Sequence, residues 1–227
     1  MRLLGFCGLA FVVGLSGAMM PGPLLAVTIA QTARIGFSAS VLITLGHALL
    51  EFVLVIAVVS GLGRLLRVPA VTRTIGVVGG GVLIFLAQGM IRSVLGETGP
   101  LPWQHAAHSN GLTASPLGLV GMGIWVSLCN PYWTLWWATV GMTFLTRALS
   151  YGRLGPGVFA VGHVSSDVAW YLVVGAIVFF GRTLMTRPIY NGVIYVCAVF
   201  LVGLGLYFLV SGIAPQLLAR SRSGAES

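Results

Sequence analysis

Long apolar segments with almost no charged residues are the feature that most restricts how this chain can fold. Residues 3–33, for example, include no charged side chain. In a lipid bilayer only α-helices and closed β-barrels satisfy all of their backbone polar groups. Barrel strands are segments of about ten residues in which apolar and polar side chains alternate, whereas the apolar segments here are longer and do not alternate. The sequence therefore predicts an all-α, polytopic membrane protein.

Six segments are long enough to cross about 30 Å of hydrocarbon, which takes roughly 20 helical residues. They cover residues 3–33, 35–63, 73–92, 116–146, 154–181 and 188–213. We interpret residues 1–95 as a first three-helix repeat, 96–115 as a polar linker, 116–213 as a second three-helix repeat and 214–227 as a polar C-terminal tail. The first segment exceeds the usual apolar region of a signal peptide, so we expect it to be a retained span.

The charged residues are typical of a membrane protein and argue against nucleic-acid binding. The chain is 57% hydrophobic and 7% charged, and its formal net charge is +8. It has no Lys, and its twelve Arg lie singly near the ends of apolar segments. Nucleic-acid-binding surfaces need clustered basic residues instead. We therefore expect the lipid bilayer, and not a nucleic acid, to be the partner of this protein's surface.

The arginines also predict an orientation, because cytoplasmic loops carry an excess of Lys and Arg. With six spans, eight Arg fall on the side of the N-terminus and four on the other side. The first set is Arg2, Arg64, Arg67, Arg73, Arg147, Arg153, Arg220 and Arg222, and the second is Arg34, Arg92, Arg182 and Arg187. This distribution favours a multi-pass protein with both termini in the cytoplasm.

The sequence Gly-His-x-x-x-acid occurs twice inside apolar segments. It places His47 and Glu51 one helical turn apart in the second segment, and His163 and Asp167 in the fifth. These two acids are the only ones within apolar segments, and an ionisable group inside a membrane is costly and usually functional. The four residues are candidates for binding a substrate ammonium, another cation or a coupling proton. The alternative is that they only satisfy one another inside the helix bundle.

The repetition of this pattern indicates an internal duplication. His47 and His163 are 116 positions apart, as are Glu51 and Asp167. Because each predicted repeat has three spans, an odd number, the second repeat must enter the membrane from the opposite side. Inverted repeats of this kind are typical of secondary transporters, whose substrate sites lie near the bilayer midplane at discontinuous helices.

Two of the apolar segments are interrupted by helix-breaking residues. Pro21, Gly22 and Pro23 interrupt the first segment, and Asn130 and Pro131 interrupt the fourth. Proline removes a backbone donor and clashes with the preceding helical turn. Irregular backbone within a membrane is tolerated only where protein or a water-filled cavity satisfies it. We predict that these five residues line a substrate site, although simple proline kinks are the alternative.

Several polar and aromatic residues are further candidates for lining such a site. Trp133, Trp136 and Trp137 follow the second interruption and could form an aromatic wall for a cation, or could instead lie at the membrane interface. The remaining candidates are hydroxyl or amide residues: Ser16, Thr28, Gln31, Thr44, Ser127, Thr134, Ser165 and Ser166.

No pattern of residues indicates catalysis, a cofactor or a metal centre. Cys7, Cys129 and Cys197 are isolated from one another, which disfavours a thiol relay. His105 and His108 in the linker lack the acidic or cysteine companions of a metal site. We therefore predict a protein that is not an enzyme, with no catalytic residues, no metal ligands and no cofactor.

The interruptions and their surroundings resemble the lysine-exporter family of amino-acid efflux proteins. The matching residues are Met20-Pro21-Gly22-Pro23, Ala33-Arg34-Ile35-Gly36, Gly46, Gly61-Leu62 and Asn130-Pro131. Tyr132 stands where that family usually carries Lys, and the two Gly-His-x-x-x-acid sequences mark a divergent branch. The resemblance implies a six-helix inner-membrane exporter that is driven by the proton motive force.

Taken together, the residues and the resemblance predict a secondary transporter. Its expected substrate is an amino acid or a related small zwitterion or cation. The alternatives are a divalent metal-cation exporter and, less favoured, a membrane thiol-redox component. A homo-oligomer remains open, and no nucleic-acid partner is expected.

Overall fold

The computed structural model describes residues 3–61, 68–95, 115–181, 184 and 186–213. All regular structure in these ranges is helical, so the predicted all-α, polytopic fold class is confirmed. The helices are α1 Leu3–Ala18, α2 Pro23–Ile35, α3 Phe37–Val59, α4 Pro69–Leu95, α5 Pro116–Leu128, α6 Pro131–Trp136, a π-helical turn Trp137–Gly141, α7 Met142–Leu149, α8 Gly155–Gly181 and α9 Arg187–Ile213.

Four helices of the described chain, α3, α4, α8 and α9, are long and apolar enough to cross a membrane. The pair α1 and α2, bent by 80° at its break, brings the number to five. The predicted fourth segment consists of the shorter apolar helix α5 and the helical residues after Asn130. Most of the predicted linker, with His105 and His108, and the predicted tail lie outside the described residues.

Both predicted interruptions are true helix breaks. Gly22 is extended, with φ −135°, and is the N-cap of α2, which has Pro23 at its start. Asn130 is likewise extended, is the N-cap of α6, and is followed by Pro131. Proline is tolerated in the first helical turn because its missing N–H would be unpaired there anyway, but it cannot continue the preceding helix. The two breaks therefore have the same local cause.

The helices pack in a reciprocal pattern between the two halves of the chain. α1, from the first half, lies along α8 of the second half, and α5, from the second half, lies along α3 of the first. α3 also packs against α8, and α4 packs against α9. Exchanging the halves leaves this set of contacts unchanged, as expected for two repeats related by a pseudo-two-fold axis.

The glycine of each Gly-His-x-x-x-acid sequence lies at one of these helix crossings. A Cβ added at Gly46 would overlap the Val120 carbonyl of α5, and one added at Gly162 would press on the Cys7 carbonyl of α1. Small residues allow helix backbones to approach closely in membranes. These glycines thus bring each His-acid pair close to the interrupted helix of the other half.

Candidate functional site

The four ionisable residues of the repeated sequence meet at the interface of α3 and α8. His47 and Glu51 lie one turn apart on α3, and His163 and Asp167 lie one turn apart on α8. None of them is more than 5% exposed. We call these four residues the central cluster.

Glu51 is the residue on which the central cluster converges. Its Oε1 is 3.1 Å from His163 Nε2 and 3.5 Å from His47 Nε2. The same oxygen accepts hydrogen bonds from Trp133 Nε1 at 3.0 Å and from Trp137 Nε1 at 3.1 Å. Hydrogen bonds to an ionised acceptor are stronger than neutral ones, so one carboxylate joins α3, α8 and the segment after the second break.

Asp167 completes the cluster on the α8 side. Its Oδ2 lies 3.5 Å from His163 Nε2. Glu51 Oε2 and Asp167 Oδ2 are buried and have no hydrogen-bond partner among the described residues. A buried acceptor without a partner is costly, and two nearby carboxylates do not both remain charged without a compensating cation or proton. The cluster is therefore suited to receive a positively charged group.

Ser127 links His47 to the backbone of α5. Its hydroxyl lies 2.7 Å from the Gly123 carbonyl and 2.7 Å from His47 Nδ1. In the neutral tautomer with hydrogen on Nδ1, Ser127 accepts from Nδ1–H and donates to Gly123, and the Nε2 lone pair faces Glu51 Oε1. In that tautomer a proton or another cation between Nε2 and Oε1 would be stabilised.

His163 is held by aromatic rings rather than by a hydroxyl. Its ring stacks on Trp136, with centroids 4.5 Å apart, and on Phe159 at 5.9 Å. Its Nδ1 has no hydrogen-bond partner within the described part of the chain, and Gly14 lies beside it. α1 thus presents a glycine to His163, whereas α5 presents Ser127 to His47. The two halves therefore differ in the group that lies beside the histidine Nδ1.

The two helix breaks come together at the central cluster. A Cβ at Gly22 would contact Asn130 Nδ2 at 3.4 Å. Both residues line a cavity that also reaches the four residues of the cluster. About 40 Å³ of this cavity is open to the centre of a water molecule, which is room for a few water molecules but not for an amino acid. The cavity is therefore too small for an amino acid in this conformation, which we call closed.

Six of the nine predicted site residues line this cavity, and the three prolines do not. The lining residues are Gly22, His47, Glu51, Asn130, His163 and Asp167. Pro23 and Pro131 are buried at the first positions of α2 and α6, and Pro21 is exposed. Pro131 faces a different cavity of about 250 Å³ between α4, α6 and α9. The prolines break the helices, while their neighbours provide the lining.

The three tryptophans after the second break lie at the cavity or against Glu51. Trp133 and Trp136 line the cavity, and Trp137, 1% exposed, donates a hydrogen bond to Glu51. Of the eight hydroxyl and amide candidates, only Ser127 lines the cavity.

Sequence reasoning missed two lining tyrosines, Tyr132 and Tyr171. Tyr171 lies edge-on to His47, with ring centroids 6.1 Å apart. Its position could have been predicted from the sequence, because residues 163, 167 and 171 follow one another at one-turn spacing on α8. Tyr132, next to the second break, had no such periodic signal.

The donor atoms of the cluster are close enough together to coordinate a metal ion. His47, Glu51 and Asp167 each offer one ligand atom, and these atoms lie within 4.8 Å of one another. The three cysteines, by contrast, are unpaired: Cys7 is on α1, Cys129 at the second break and Cys197 on α9.

A comparison with protein-family models matches the model described as "LysE type translocator" to residues 15–212 of the chain. The match includes both breaks and the whole central cluster. Searches of curated proteins and of solved structures gave no match.

Proposed function

Because the chain belongs to the LysE type translocator family, we propose that it exports an amino acid, or a related small zwitterion or cation, by proton-coupled secondary transport. The observation that carries this proposal is the central cluster itself. Two acids and two histidines are buried where both helix breaks meet. Intramembrane ionisable residues next to discontinuous helices are a feature of substrate and ion sites in secondary transporters.

The cluster and the first break together offer complementary groups for a zwitterion. Glu51 and Asp167 provide buried carboxylates for an ammonium group. Gly22 at the start of α2 has no side chain to cap the helix, so backbone N–H groups there are available to a carboxylate, which the helix dipole also favours. Trp133 and Trp136 supply an aromatic wall for the cation or for an apolar side chain.

The cluster also offers a physical basis for coupling export to protons. Glu51 is shared between His47 on the same helix and His163 on α8. A substrate ammonium at Glu51 would compete with both histidines, and a proton would do the same. Binding of one cation would thus displace the other and change how tightly α3 and α8 are joined. Such competition at one carboxylate is a simple way to exchange a substrate for a proton.

The closed cavity requires a second conformation for transport. An amino acid does not fit in about 40 Å³, so the helices around the breaks have to separate on one side of the membrane and then on the other. We propose that residues 1–95 and 116–213 act as the two inverted repeats in this motion. Their reciprocal contacts support the arrangement.

We also propose that the protein lies in the cytoplasmic membrane, as its family membership implies. The excess of arginines on the side of the N-terminus supports an orientation with both termini in the cytoplasm.

Export by purified, reconstituted protein tests the proposal. Proteoliposomes loaded with individual labelled amino acids are assayed for release with and without an imposed pH gradient. We expect release of at least one amino acid, accelerated by the gradient, and its loss in Glu51→Gln and Asp167→Asn. Glu97→Gln, which changes an acid outside the apolar segments, serves as the matched control and should export normally. Wild-type export rates in both cluster variants would refute the coupling role.

A further inference from the structure

We propose that the central cluster is a binding site for a divalent transition-metal ion of the Zn²⁺ type, and that the bound ion inhibits export. The ligands are His47, Glu51 and Asp167, whose ligand atoms all lie within 4.8 Å of one another. The sequence analysis assigned no metal ligands, although a divalent metal-cation exporter was among its alternatives. The inhibitory part rests on the proposed function, whereas the binding site does not.

The ligand atoms are close enough together for a zinc ion to draw them into its coordination shell. Bonds of about 2.0–2.1 Å to nitrogen and oxygen place neighbouring tetrahedral ligands about 3.3 Å apart. His47 Nε2 and Glu51 Oε1 are 3.5 Å apart, and the ligand atoms of His47, Glu51 and Asp167 all lie within 4.8 Å of one another. Three protein ligands and one water molecule would complete a tetrahedral site.

The ligands also have unused coordination capacity. Glu51 Oε2 and Asp167 Oδ2 are buried and accept no hydrogen bond from the described residues. In the tautomer with hydrogen on Nδ1, His47 donates to Ser127 and has its lone pair on Nε2. A metal-bound histidine characteristically donates its other ring N–H in this way. Ser127 is thus placed to orient His47 as a ligand.

The ligand set selects the class of metal. An imidazole nitrogen with two carboxylates suits Zn²⁺ and its transition-metal neighbours, whereas Mg²⁺ and Ca²⁺ prefer all-oxygen sites. Two ionised carboxylates would carry two negative charges and neutralise a divalent cation inside the bundle, where an uncompensated charge is costly. The chemistry therefore points to a transition metal rather than to an alkaline-earth ion.

The size of the cavity explains why the bound ion should inhibit export. The closed conformation has room for an ion and a few water molecules but not for an amino acid. A ligand that binds one conformation better than another shifts the population towards it. Because the metal would join α3 and α8 through ligands on both helices, it would favour the closed conformation and occupy the position of the substrate ammonium.

Metal binding to the purified full-length protein in detergent, after treatment with a chelator, tests the site. Titration calorimetry with Zn²⁺ gives affinity and stoichiometry, and the visible spectrum of added Co²⁺ reports tetrahedral coordination. We expect one Zn²⁺ per chain, an intense tetrahedral Co²⁺ spectrum, and no comparable binding of Mg²⁺ or Ca²⁺. His47→Gln and Asp167→Asn should each weaken binding by on the order of 100-fold, and Ser127→Ala by on the order of 10-fold through the orientation of His47.

Variants outside the cluster provide the controls. His105→Gln with His108→Gln in the linker should leave Zn²⁺ affinity unchanged, and size-exclusion profiles show whether each cluster variant is folded. Absence of Zn²⁺ binding to the wild-type protein, or binding that survives the cluster substitutions, would overturn the site. If a cluster variant does not fold, an octahedral Co²⁺ spectrum of the wild-type protein would be enough to overturn it.

The export assay with a chelator or with Zn²⁺ separates this inference from the proposed function. Amino-acid release that is fast with a chelator and slow with Zn²⁺ supports both. Release that Zn²⁺ does not slow overturns the inhibition. If the protein binds Zn²⁺ tetrahedrally but releases no amino acid, the metal site is supported and the proposed export function is refuted.

Discussion

Replacing Glu51 by two different residues separates its structural role from its functional one. Glu51 Oε1 accepts hydrogen bonds from the indole N–H groups of Trp133 and Trp137. Glu51→Gln keeps a side-chain oxygen of the same reach but removes the charge. Glu51→Ala removes the oxygen and leaves both indole groups without this acceptor.

The expected magnitudes follow from these contacts. A buried donor that loses its partner costs about 1–3 kcal/mol. Glu51→Ala should therefore lower the free energy of unfolding by about 1–3 kcal/mol through the buried Trp137 indole, and by less through Trp133, which is only partly buried. Glu51→Gln should cost about 1–2 kcal/mol, because neutral hydrogen bonds replace charge-assisted ones. Export should be lost in both variants, since neither carries a carboxylate for the substrate ammonium or the proton.

Unfolding in mixed detergent micelles and release from proteoliposomes are the two measurements. Leu49→Ala, on the same helix but 46% exposed, is the matched control and should change stability by less than about 1 kcal/mol. If Glu51→Ala is as stable as the wild-type protein, the indole hydrogen bonds do not stabilise the fold as argued. If Glu51→Gln exports at the wild-type rate, the charge of Glu51 is not needed for transport.

Three further substitutions test the fold and the site. Gly46→Ala should destabilise the protein by about 1–3 kcal/mol, because the added Cβ would force α3 and α5 apart. Gly81→Ala is the control, since an added Cβ there meets nothing within 4 Å, and it should leave stability unchanged. Equal thermal stabilities of the two variants would contradict the close crossing. Asn130→Ala should lower the free energy of unfolding by about 1 kcal/mol, because it removes the N-cap acceptor of the Tyr132 N–H. Asn130→Ser should restore most of the lost stability in the same unfolding measurement. Replacement of all three cysteines by Ala should leave amino-acid release unchanged, and its loss would instead favour the thiol-redox alternative.

The positions of the helix breaks were predictable because their cause is local. Pro23 and Pro131 cannot continue the helices before them, whatever the tertiary context. Which side chains would face the site was less predictable. We expected the prolines to line the cavity, but they sit at the first positions of α2 and α6, and Gly22 and Asn130 beside them provide the lining instead.

The pairing within each helix was also predictable, whereas the pairing between helices was not. A spacing of four residues puts His47 beside Glu51 and His163 beside Asp167 on any α-helix. The 3.1 Å contact between Glu51 and His163 depends on how closely and in what register α3 packs on α8. Nothing local to either helix determines that register.

The sequence by itself thus determined that this chain is an all-α membrane protein, where its helices break and which ionisable residues are buried. These properties follow from hydropathy, proline chemistry and helical periodicity, all of which act over a few turns of chain. Only the tertiary structure decided that four distant residues form one cluster centred on Glu51, with Ser127 supporting one histidine and Gly14 facing the other. The physical reason is that this geometry depends on long-range packing, in which glycines such as Gly46 and Gly162 allow helices of opposite halves to meet at backbone contact.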